Sequence, residues 1–362
     1  MGNKFELIFD RLNMSDAARS RCLQVHHLNV FHFYVNVCAI APVAVVGVLL
    51  NVVNIVILGR QKLAPAAVFM LKTLAVLDIG VLVSAFVYFV ARYSYGNRGV
   101  SAHGFRYAGW GFNLYLAKSV DPIYNSLLQP RNWCLVLISL DRLLITLAPL
   151  KAHVWSTRRR AVQSLVGIVG AVLLLQSLNY TFVQKYSFFV TFNACTGERQ
   201  VRTKRTSSLS NALFYIIDHV FYIVCNVTLP LVLLIVINFA LIVCLIKSAR
   251  FRRTMMNSGT DSTASGHRQI TKMVVGIVVV FVICEATPSI DRIVKLCLQF
   301  GYPRSIQMKL AYLRRVGLFL VVLDSSLNFF IYFTTNSKFH AEVLQLFSRA
   351  MIRNRLGLVV QS

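Results

Sequence analysis

The sequence predicts an all-α membrane protein in which a bundle of seven transmembrane helices is followed by a short amphipathic helix. Of the 362 residues, 56% are hydrophobic and only 14% are charged, which is more apolar surface than the core of one soluble domain needs. A helix that crosses the hydrocarbon core takes roughly 20 predominantly apolar residues. Seven stretches meet this requirement, at about 37–58, 73–91, 119–147, 161–184, 219–246, 273–296 and 316–335.

Charged residues occur in four of these seven stretches, whereas the first, fourth and fifth contain no Asp, Glu, Lys or Arg. An ionisable group inside a span costs about 2.5–3.5 kcal/mol on insertion scales, so such groups face the interior of a bundle and are functional candidates. The charged residues in these spans include Asp78, Asp121, Arg131, Asp141, Arg142, Glu285 and Asp324. They predict polar contacts between helices.

The segments that flank and connect the spans are expected to lie outside the membrane. Met1–Cys22 mixes charges and lacks the compact apolar core of a secretory signal, so the first span is expected to direct insertion. Residues 1–35 are expected to form an extracellular tail. Ser337–Phe347 alternates polar and apolar residues at helical spacing, which predicts an amphipathic helix on the membrane within a cytoplasmic segment, 336–362. The long connections Lys185–Asp218 and Lys247–Gln269 are expected to be loops.

The formal net charge of +25 could indicate a nucleic acid partner. However, the Lys and Arg residues lie in short clusters between apolar stretches, which is typical of membrane-flanking loops, so we predict no nucleic acid binding. These residues are divided evenly between the two sides of the bundle, so the charge asymmetry does not orient the chain. Asn13-Met14-Ser15 is a glycosylation acceptor pattern, whose use would require an extracellular amino terminus in the plasma membrane.

The cysteines and histidines give no indication of catalysis or metal binding. Cysteines within apolar stretches are typical of buried free thiols. They include Cys134, Cys225, Cys244 and Cys284. The histidines before the first span form no catalytic or metal-binding set. We therefore predict no enzyme activity, no cofactor and no metal.

The polar residues inside the spans follow a recognisable order. The first span has Asn51, the second has Leu-Ala-Val-Leu-Asp ending at Asp78, and the third ends in Ser-Leu-Asp-Arg-Leu. The seventh ends in Asp-Ser-Ser-Leu-Asn-Phe-Phe-Ile-Tyr. This order resembles the rhodopsin-like G-protein-coupled receptors. Within that family, the ending of the seventh span and the Asn-Ser-Lys-Phe that follows are most similar to invertebrate receptors for FMRFamide-like and myosuppressin-like neuropeptides.

The resemblance implies a receptor that responds to an extracellular ligand and acts on a heterotrimeric G protein. It assigns a switch to Asp141 and Arg142, with Leu143 and Pro149 following. In the family this arginine pairs with the neighbouring acid at rest and contacts the G protein when the cytoplasmic side opens. Pro230 and Pro288 are candidate hinges, because a proline inside a helix removes a backbone hydrogen bond. The alternatives are an ordinary ion pair at a helix end and static kinks.

The chain departs from the family pattern at several positions. Leu143 stands in place of the tyrosine of the switch triplet, and Phe329 in place of the proline of the seventh span. The third helix lacks the cysteine that is usually tied to the second extracellular loop, which leaves Cys195 without its usual partner. Cys22 and Cys297 are the replacement candidates. These departures indicate a divergent receptor or one that no longer signals.

Arg131 lies about three helical turns before Arg142, in the middle of the membrane. A guanidinium at this depth requires an anion, and we hypothesise that it bridges Asp78 and Asp324. The network would be completed by Asn51, Asn328 and Tyr332. Receptors that the chain resembles commonly hold a sodium ion here, so the hypothesis implies that the guanidinium replaces sodium. The alternative is that Arg131 faces an aqueous crevice.

The ligand is expected to be a peptide. Amine receptors of the family have an Asp where this chain has Tyr124, and opsins need a Lys that the seventh span lacks. A peptide ending in Arg-Phe-amide would need an anion for its Arg and aromatic surface for its Phe. The pocket candidates are Asp121, Tyr124, Asp218, Tyr222, Glu285 and Asp291. The basic outer loops point instead to ligands with acidic segments, or to the head groups of membrane lipids.

A transporter or channel would also place charges inside the membrane. Such proteins commonly contain paired or inverted repeats with broken helices, and the sequence shows no such symmetry. The receptor interpretation is therefore preferred, with a divergent seven-helix transporter or channel as the alternative.

Overall fold

Helices make up most of this computed structural model. It describes residues 15–61, 65–90, 106–148, 156–178, 186–192, 199–205, 224, 228–254, 262–297, 304–346 and 348, although not every side chain within these ranges. The helices are α1 (Asp16–Arg60), α2 (Pro65–Ala85), α3 (Arg106–Leu147), α4 (Arg158–Leu178), α5 (Leu229–Thr254), α6 (Ser262–Cys297), α7 (Arg304–Thr335) and α8 (337–346). The predicted helical membrane bundle is confirmed.

The bundle is organised around α3. This helix contacts α2, α4, α5 and α6, whereas α1 packs against α2 and α7, and α6 packs against α5 and α7. Among the described residues, six helices have the length and apolar composition of a membrane span, namely α1, α2, α4, α5, α6 and α7. α3 is 42 residues long, and its buried Arg131 and Ser139 contact polar side chains of neighbouring helices. The chain is therefore a multi-pass membrane protein.

α1 changes its helical form before it enters the bundle. It is α-helical over Asp16–Phe33, π-helical over Tyr34–Ile40 and α-helical again over Ala41–Arg60. Pro42 explains the change, because its ring has no N–H for the preceding turn and clashes with the carbonyl four residues earlier. A wider π-helical turn relieves that clash. A second π-helical segment, Phe86–Val90, continues α2, and the two π-helical segments contact each other.

Several helices are longer than the predicted spans. At 45 residues and 1.5 Å per residue, α1 is about 67 Å long, compared with a hydrocarbon core of about 30 Å. α5 continues to Thr254 and α6 begins at Ser262, so the ends of the predicted loop Lys247–Gln269 are helical. Hydropathy detects where a helix leaves the lipid, whereas the backbone hydrogen bonds continue into water. The residues at which these helices begin and end could therefore not be predicted from hydropathy.

The expectation of a loop over Lys185–Asp218 was wrong for two segments. β1 (Tyr186–Phe192) pairs with β2 (Arg199–Arg205) as an antiparallel hairpin, with Tyr186 opposite Arg205 and Phe192 opposite Arg199. The aromatic and β-branched residues of β1 favour a strand. The search for apolar stretches of span length overlooked them because a strand needs far fewer residues.

α8 follows α7 after a single residue, as the amphipathic pattern predicts. Asn336 caps it, because its Oδ1 accepts hydrogen bonds from the backbone N–H groups of Lys338 and Phe339, both at 3.1 Å. Phe339 and Val343 are buried against the bundle, whereas Leu344 is 54% exposed. We refer below to the end of the bundle opposite α8 as the upper end.

Two apolar clusters fill the bundle. The upper cluster consists of buried residues from α1, α2, α3 and α7: Ile40, Ala44, Val81, Leu82, Ala85, Tyr124, Leu128, Val321 and Val322. The lower cluster, nearer α8, includes Leu74, Cys134, Phe281, Tyr332 and Phe339. Charged side chains of α2, α3 and α7 meet within the bundle, and they form the candidate site.

Candidate functional site

An arginine in the middle of α3 joins three helices through two carboxylates. Arg131 is 1% exposed, and its Nε donates to Asp78 Oδ1 on α2 at 2.5 Å. Its Nη2 donates to Asp324 Oδ2 on α7. The structure thus places Arg131 between the two acids that the sequence suggested.

Asparagines connect this ion network to the neighbouring turns and to α1. Asn328 Nδ2 donates to the second oxygen of Asp78 at 2.7 Å. Asn51 Nδ2 donates to the backbone carbonyl of Ser325 on α7 at 2.8 Å. Asn54, which the sequence analysis did not single out, donates to Asn51 Oδ1 at 3.4 Å. Four helices are therefore linked by directional polar contacts at one depth of the bundle.

The energetics of the network depend on complete pairing. Removing ions from water costs several kcal/mol per ion, and mutual attraction offsets this only when the geometry is good and the remaining atoms are hydrogen-bonded. Arg131 meets both acids at hydrogen-bonding distance, and its Cζ also lies 5.7 Å from the ring centroid of Phe281, a cation–π distance. A shift of α7 relative to α3 would break charge-assisted hydrogen bonds, so the network resists partial movement.

The switch residues lie at the end of α3 nearest α8. Arg142 is 1% exposed and its Nη2 pairs with Asp141 Oδ2. Its Nε and Nη1 have no hydrogen-bond partner among the described residues. Leu143 is partly buried, and Pro149 lies outside the described residues. The pair holds a buried cation with unused donors at one end of the bundle.

A contact between α3 and α5 lies one turn from Arg142. Asn238 Nδ2 on α5 donates to Ser139 Oγ on α3 at 3.1 Å, and both residues are buried. The pair could not be predicted from the cost of burying charge, because both side chains are uncharged. The available signal was a polar residue inside an otherwise apolar span.

Tyr332 lies between the ion network and α8. It is fully buried in the lower cluster, and its ring centroid is 5.6 Å from that of Phe339 on α8. Its hydroxyl has no hydrogen-bond partner among the described residues, so the structure places it beside the network without a hydrogen bond to it.

The two candidate hinge prolines have different positions. Pro288 lies inside α6 and packs against Gly317 of α7, where an added Cβ would lie 3.0 Å from the Pro288 nitrogen. Pro230 is the second residue of α5 and follows a π-helical residue at 228. Pro230 thus lies where π-helical and α-helical backbone meet, as Pro42 does in α1, whereas Pro288 interrupts the hydrogen bonding within a long α-helix.

The candidate pocket residues are spread over several helices. Tyr124 of α3 is buried in the upper cluster and stacks on Tyr88 of α2, with centroids 6.5 Å apart and an angle of 11° between the rings. Glu285 and Asp291 are buried in α6, and Asp291 Oδ2 lies 3.4 Å from the Nε of Arg314 on α7. The remaining candidates lie outside the described side chains: Asp121, Asp218 and Tyr222.

Comparison with known proteins identifies the family. Residues 38–350 match the sequence profile of the family described as Serpentine type 7TM GPCR chemoreceptor Srw. The chain belongs to this family. It is a G-protein-coupled receptor by descent, and the expectation of a receptor without enzyme activity is confirmed.

Three curated relatives of this receptor are peptide receptors by name. The chain is 24% identical over 307 residues to FMRFamide peptide receptor frpr-18 of Caenorhabditis elegans, covering 83% of this chain and 66% of the relative. It is 26% identical over 269 residues to Neuromedin-U receptor 2 of Homo sapiens, covering 72% of this chain and 60% of the relative. It is 24% identical over 335 residues to the FMRFamide receptor of Drosophila melanogaster, covering 91% of this chain and 57% of the relative. These matches confirm the resemblance to FMRFamide-type receptors.

The matched region is shorter than these relatives. The receptor chain spans between 57% and 66% of their lengths. Their names describe what those proteins bind, and the ligand of this receptor is treated below as a proposal.

The described cysteines of the receptor include one in a disulfide and others with free thiols. Cys22 of α1 is disulfide-bonded and 5% exposed. The side chains of Cys195, Cys225 and Cys297 and the whole of Asn13 lie outside the described residues. Cys134, Cys244 and Cys284 are free, as expected for thiols within spans. Within the described part of the chain, no group of three His, Cys, Asp or Glu is placed to hold a metal ion.

Proposed function

We propose that this chain is a plasma-membrane neuropeptide receptor that transmits ligand binding to a heterotrimeric G protein through helix rearrangement. The observation that carries the proposal is Arg131, which is buried mid-membrane and bonded to α2 and α7 at once. Burying three charges in one bundle is costly. A role that accounts for this cost is to hold one arrangement of the helices, which a bound ligand then changes. The names of the curated relatives support a peptide as that ligand.

The disulfide of Cys22 supports an extracellular amino terminus. Disulfides persist in oxidising compartments, so a disulfide-bonded Cys22 favours placing the start of α1 outside the cell. Residues 1–35, with the acceptor Asn13, would then be extracellular, and residues 336–362 would be cytoplasmic after seven crossings. This orientation assigns the Asp141–Arg142 pair to the cytoplasmic face, where a G protein binds.

The geometry of Arg142 supports its role as the G-protein switch. Among the described residues the Nε and Nη1 of Arg142 have no partner, and a buried cation in this state is costly because each unpaired charged donor loses its hydration. An outward rotation of the side chain would supply new acceptors, including carbonyl groups of a bound protein. The pair with Asp141 would hold Arg142 until the helices separate.

We further propose that the ligand is an amidated peptide of the Arg-Phe type. Glu285 and Asp291 provide buried acids in the upper half of α6 for a peptide arginine. Tyr124, with Tyr88, provides an aromatic surface for the phenylalanine. Asp291 Oδ2 also lies 3.4 Å from the Nε of Arg314, so a peptide arginine at this acid would share it with a cation of α7.

A reporter screen tests this function. Cells expressing the receptor would be exposed to a library of neuropeptides, and second-messenger signals would be recorded. We expect at least one amidated peptide to activate wild type, while Arg142→Ala binds the peptide and does not signal. Arg160→Ala, an exposed arginine at the start of α4, is the matched control and should signal normally. Solute flux in the absence of any G-protein response would instead support transport.

A further inference from the structure

Asn36 is a buried side chain with no hydrogen-bond partner in the described part of the chain. It lies in the π-helical segment of α1, it is 0% exposed, and neither Nδ2 nor Oδ1 has a hydrogen-bond partner among the described residues. A buried amide left unpaired costs roughly as much as a lost hydrogen bond for each group, so most buried polar groups are paired. The position therefore points to a partner that binds there.

The backbone around Asn36 is also unusual. Its π-helical segment, Tyr34–Ile40, contacts the π-helical segment of α2, Phe86–Val90, and also contacts α7. π-helical turns are rare and occur frequently at functional sites. Within this segment Tyr34 is 59% exposed and Asn36 is fully buried, so one face of the segment points outward and the face with Asn36 points into the upper end.

An aromatic surface lies next to this segment. Tyr88, in the π-helical segment of α2, is partly exposed, stacks on Tyr124 of α3 and packs against the upper cluster. Val35 and Ile40, on either side of Asn36, belong to or pack against the same cluster. The segment that contains Asn36 therefore adjoins a surface suited to an aromatic side chain.

We propose that Asn36 binds the carboxyl-terminal carboxamide of the peptide ligand, and that the Tyr88–Tyr124 pair receives the aromatic side chain next to it. This inference rests on the proposed peptide-receptor function and names the part of the peptide that the upper end recognises. A primary carboxamide pairs with an asparagine side chain through two hydrogen bonds. Asn36 Nδ2 donates to the ligand carbonyl, and Asn36 Oδ1 accepts from the ligand NH₂.

The same geometry rejects a peptide with a free carboxyl terminus. A carboxylate has no N–H to donate, so Asn36 Oδ1 would face a second acceptor. The carboxylate would also lose its hydration beside the apolar and aromatic upper cluster, which costs far more than burying a neutral carboxamide. Asn36 is thus a specificity-determining residue for amidation.

The test compares FMRFamide and other peptides ending in Arg-Phe-amide with the same peptides bearing a free carboxyl terminus. Wild type is expected to respond to the amidated form at roughly tenfold lower concentration or better. In Asn36→Leu, potency of the amidated peptide should fall by a similar factor, and the preference for amidation should disappear. Because the change removes an unpaired buried amide, thermal stability should be unchanged or higher.

Gln176→Leu is the matched control. Gln176 of α4 is 3% exposed, and both atoms of its amide also lack partners among the described residues. Its removal is the same chemical change on another helix, and it should leave the preference for amidation intact. Asn36→Asp keeps the size of the side chain but removes its Nδ2 donor, so the amidated peptide should be less potent on this variant.

The outcomes are distinguishable. If wild type prefers amidated peptides and Asn36→Leu keeps that preference, the assignment of Asn36 is overturned while the proposed function stands. If wild type responds equally to amidated peptides and to peptides with a free carboxyl terminus, the assignment of Asn36 is also overturned, and the proposed function stands. If no peptide activates or binds wild type, the proposed function fails and the inference fails with it.

Discussion

Replacing Arg131 with methionine tests the buried network most severely. Arg131 is 1% exposed, and the side chains of its partners Asp78 and Asp324 are 0% and 3% exposed. Methionine fills part of the same volume but leaves two carboxylates without their cation. Removing one member of a buried ion pair typically costs about 3–5 kcal/mol, and we expect a loss of this size in the free energy of unfolding.

A variant without charges separates the cost of unpaired carboxylates from the loss of packing. Arg131→Met combined with Asp78→Asn and Asp324→Asn removes the three charges together. Part of the lost stability should return, because a buried neutral amide costs less free energy than a buried carboxylate without its cation. Arg160→Met, at an exposed position on α4, should change stability by no more than about 0.5 kcal/mol.

The assay is unfolding of the purified receptor in lipid nanodiscs, by heat and by denaturant. The reasoning predicts a lower unfolding temperature for Arg131→Met than for the triple variant, and a value near wild type for Arg160→Met. It would be refuted if Arg131→Met were as stable as wild type, or if the triple variant were no more stable than Arg131→Met.

Two further predictions concern the effect of sodium on agonist affinity and the packing of Gly317 against Pro288. Since the Arg131 guanidinium already bridges the carboxylates, replacing sodium by potassium should leave agonist affinity unchanged in a radioligand assay, and strong inhibition by sodium would contradict this assignment. Gly317→Ala should destabilise the bundle by about 1–3 kcal/mol, because its Cβ would lie 3.0 Å from the Pro288 backbone nitrogen. Gly170→Ala, which has no atom within 4 Å of the added Cβ, should be neutral or stabilising, and equal effects on the unfolding temperature would rule out this packing argument.

Sequence reasoning reached the centre of the site because charge in lipid is costly. An arginine among apolar residues needs an anion, and few acids lie at a matching depth. Asp78 and Asp324 were therefore identifiable without coordinates, and the structure places both on Arg131. The same logic predicted the bundle, since seven apolar stretches allow few other arrangements.

Uncharged polar residues gave a weaker signal. Asn36 lies at the edge of the predicted first span, and Asn238 lies inside a span without charges. Both are buried, yet an asparagine is tolerated in a helix with or without a partner. The residues that surround Asn36 and Asn238 could be known only from the packing of α1, α2, α3, α5 and α7. The π-helical segments likewise depend on backbone hydrogen bonding, although Pro42 was a clue that could have been used.

The most direct measurement is guanine nucleotide exchange with purified components. The receptor in lipid nanodiscs would be mixed with a heterotrimeric G protein and an activating amidated peptide, and the rate of nucleotide exchange would be followed. The account predicts that the peptide accelerates exchange with wild type, whereas Arg142→Ala binds the peptide and leaves the basal rate unchanged. Peptide binding to wild type without acceleration, or equal acceleration by Arg142→Ala, would contradict it.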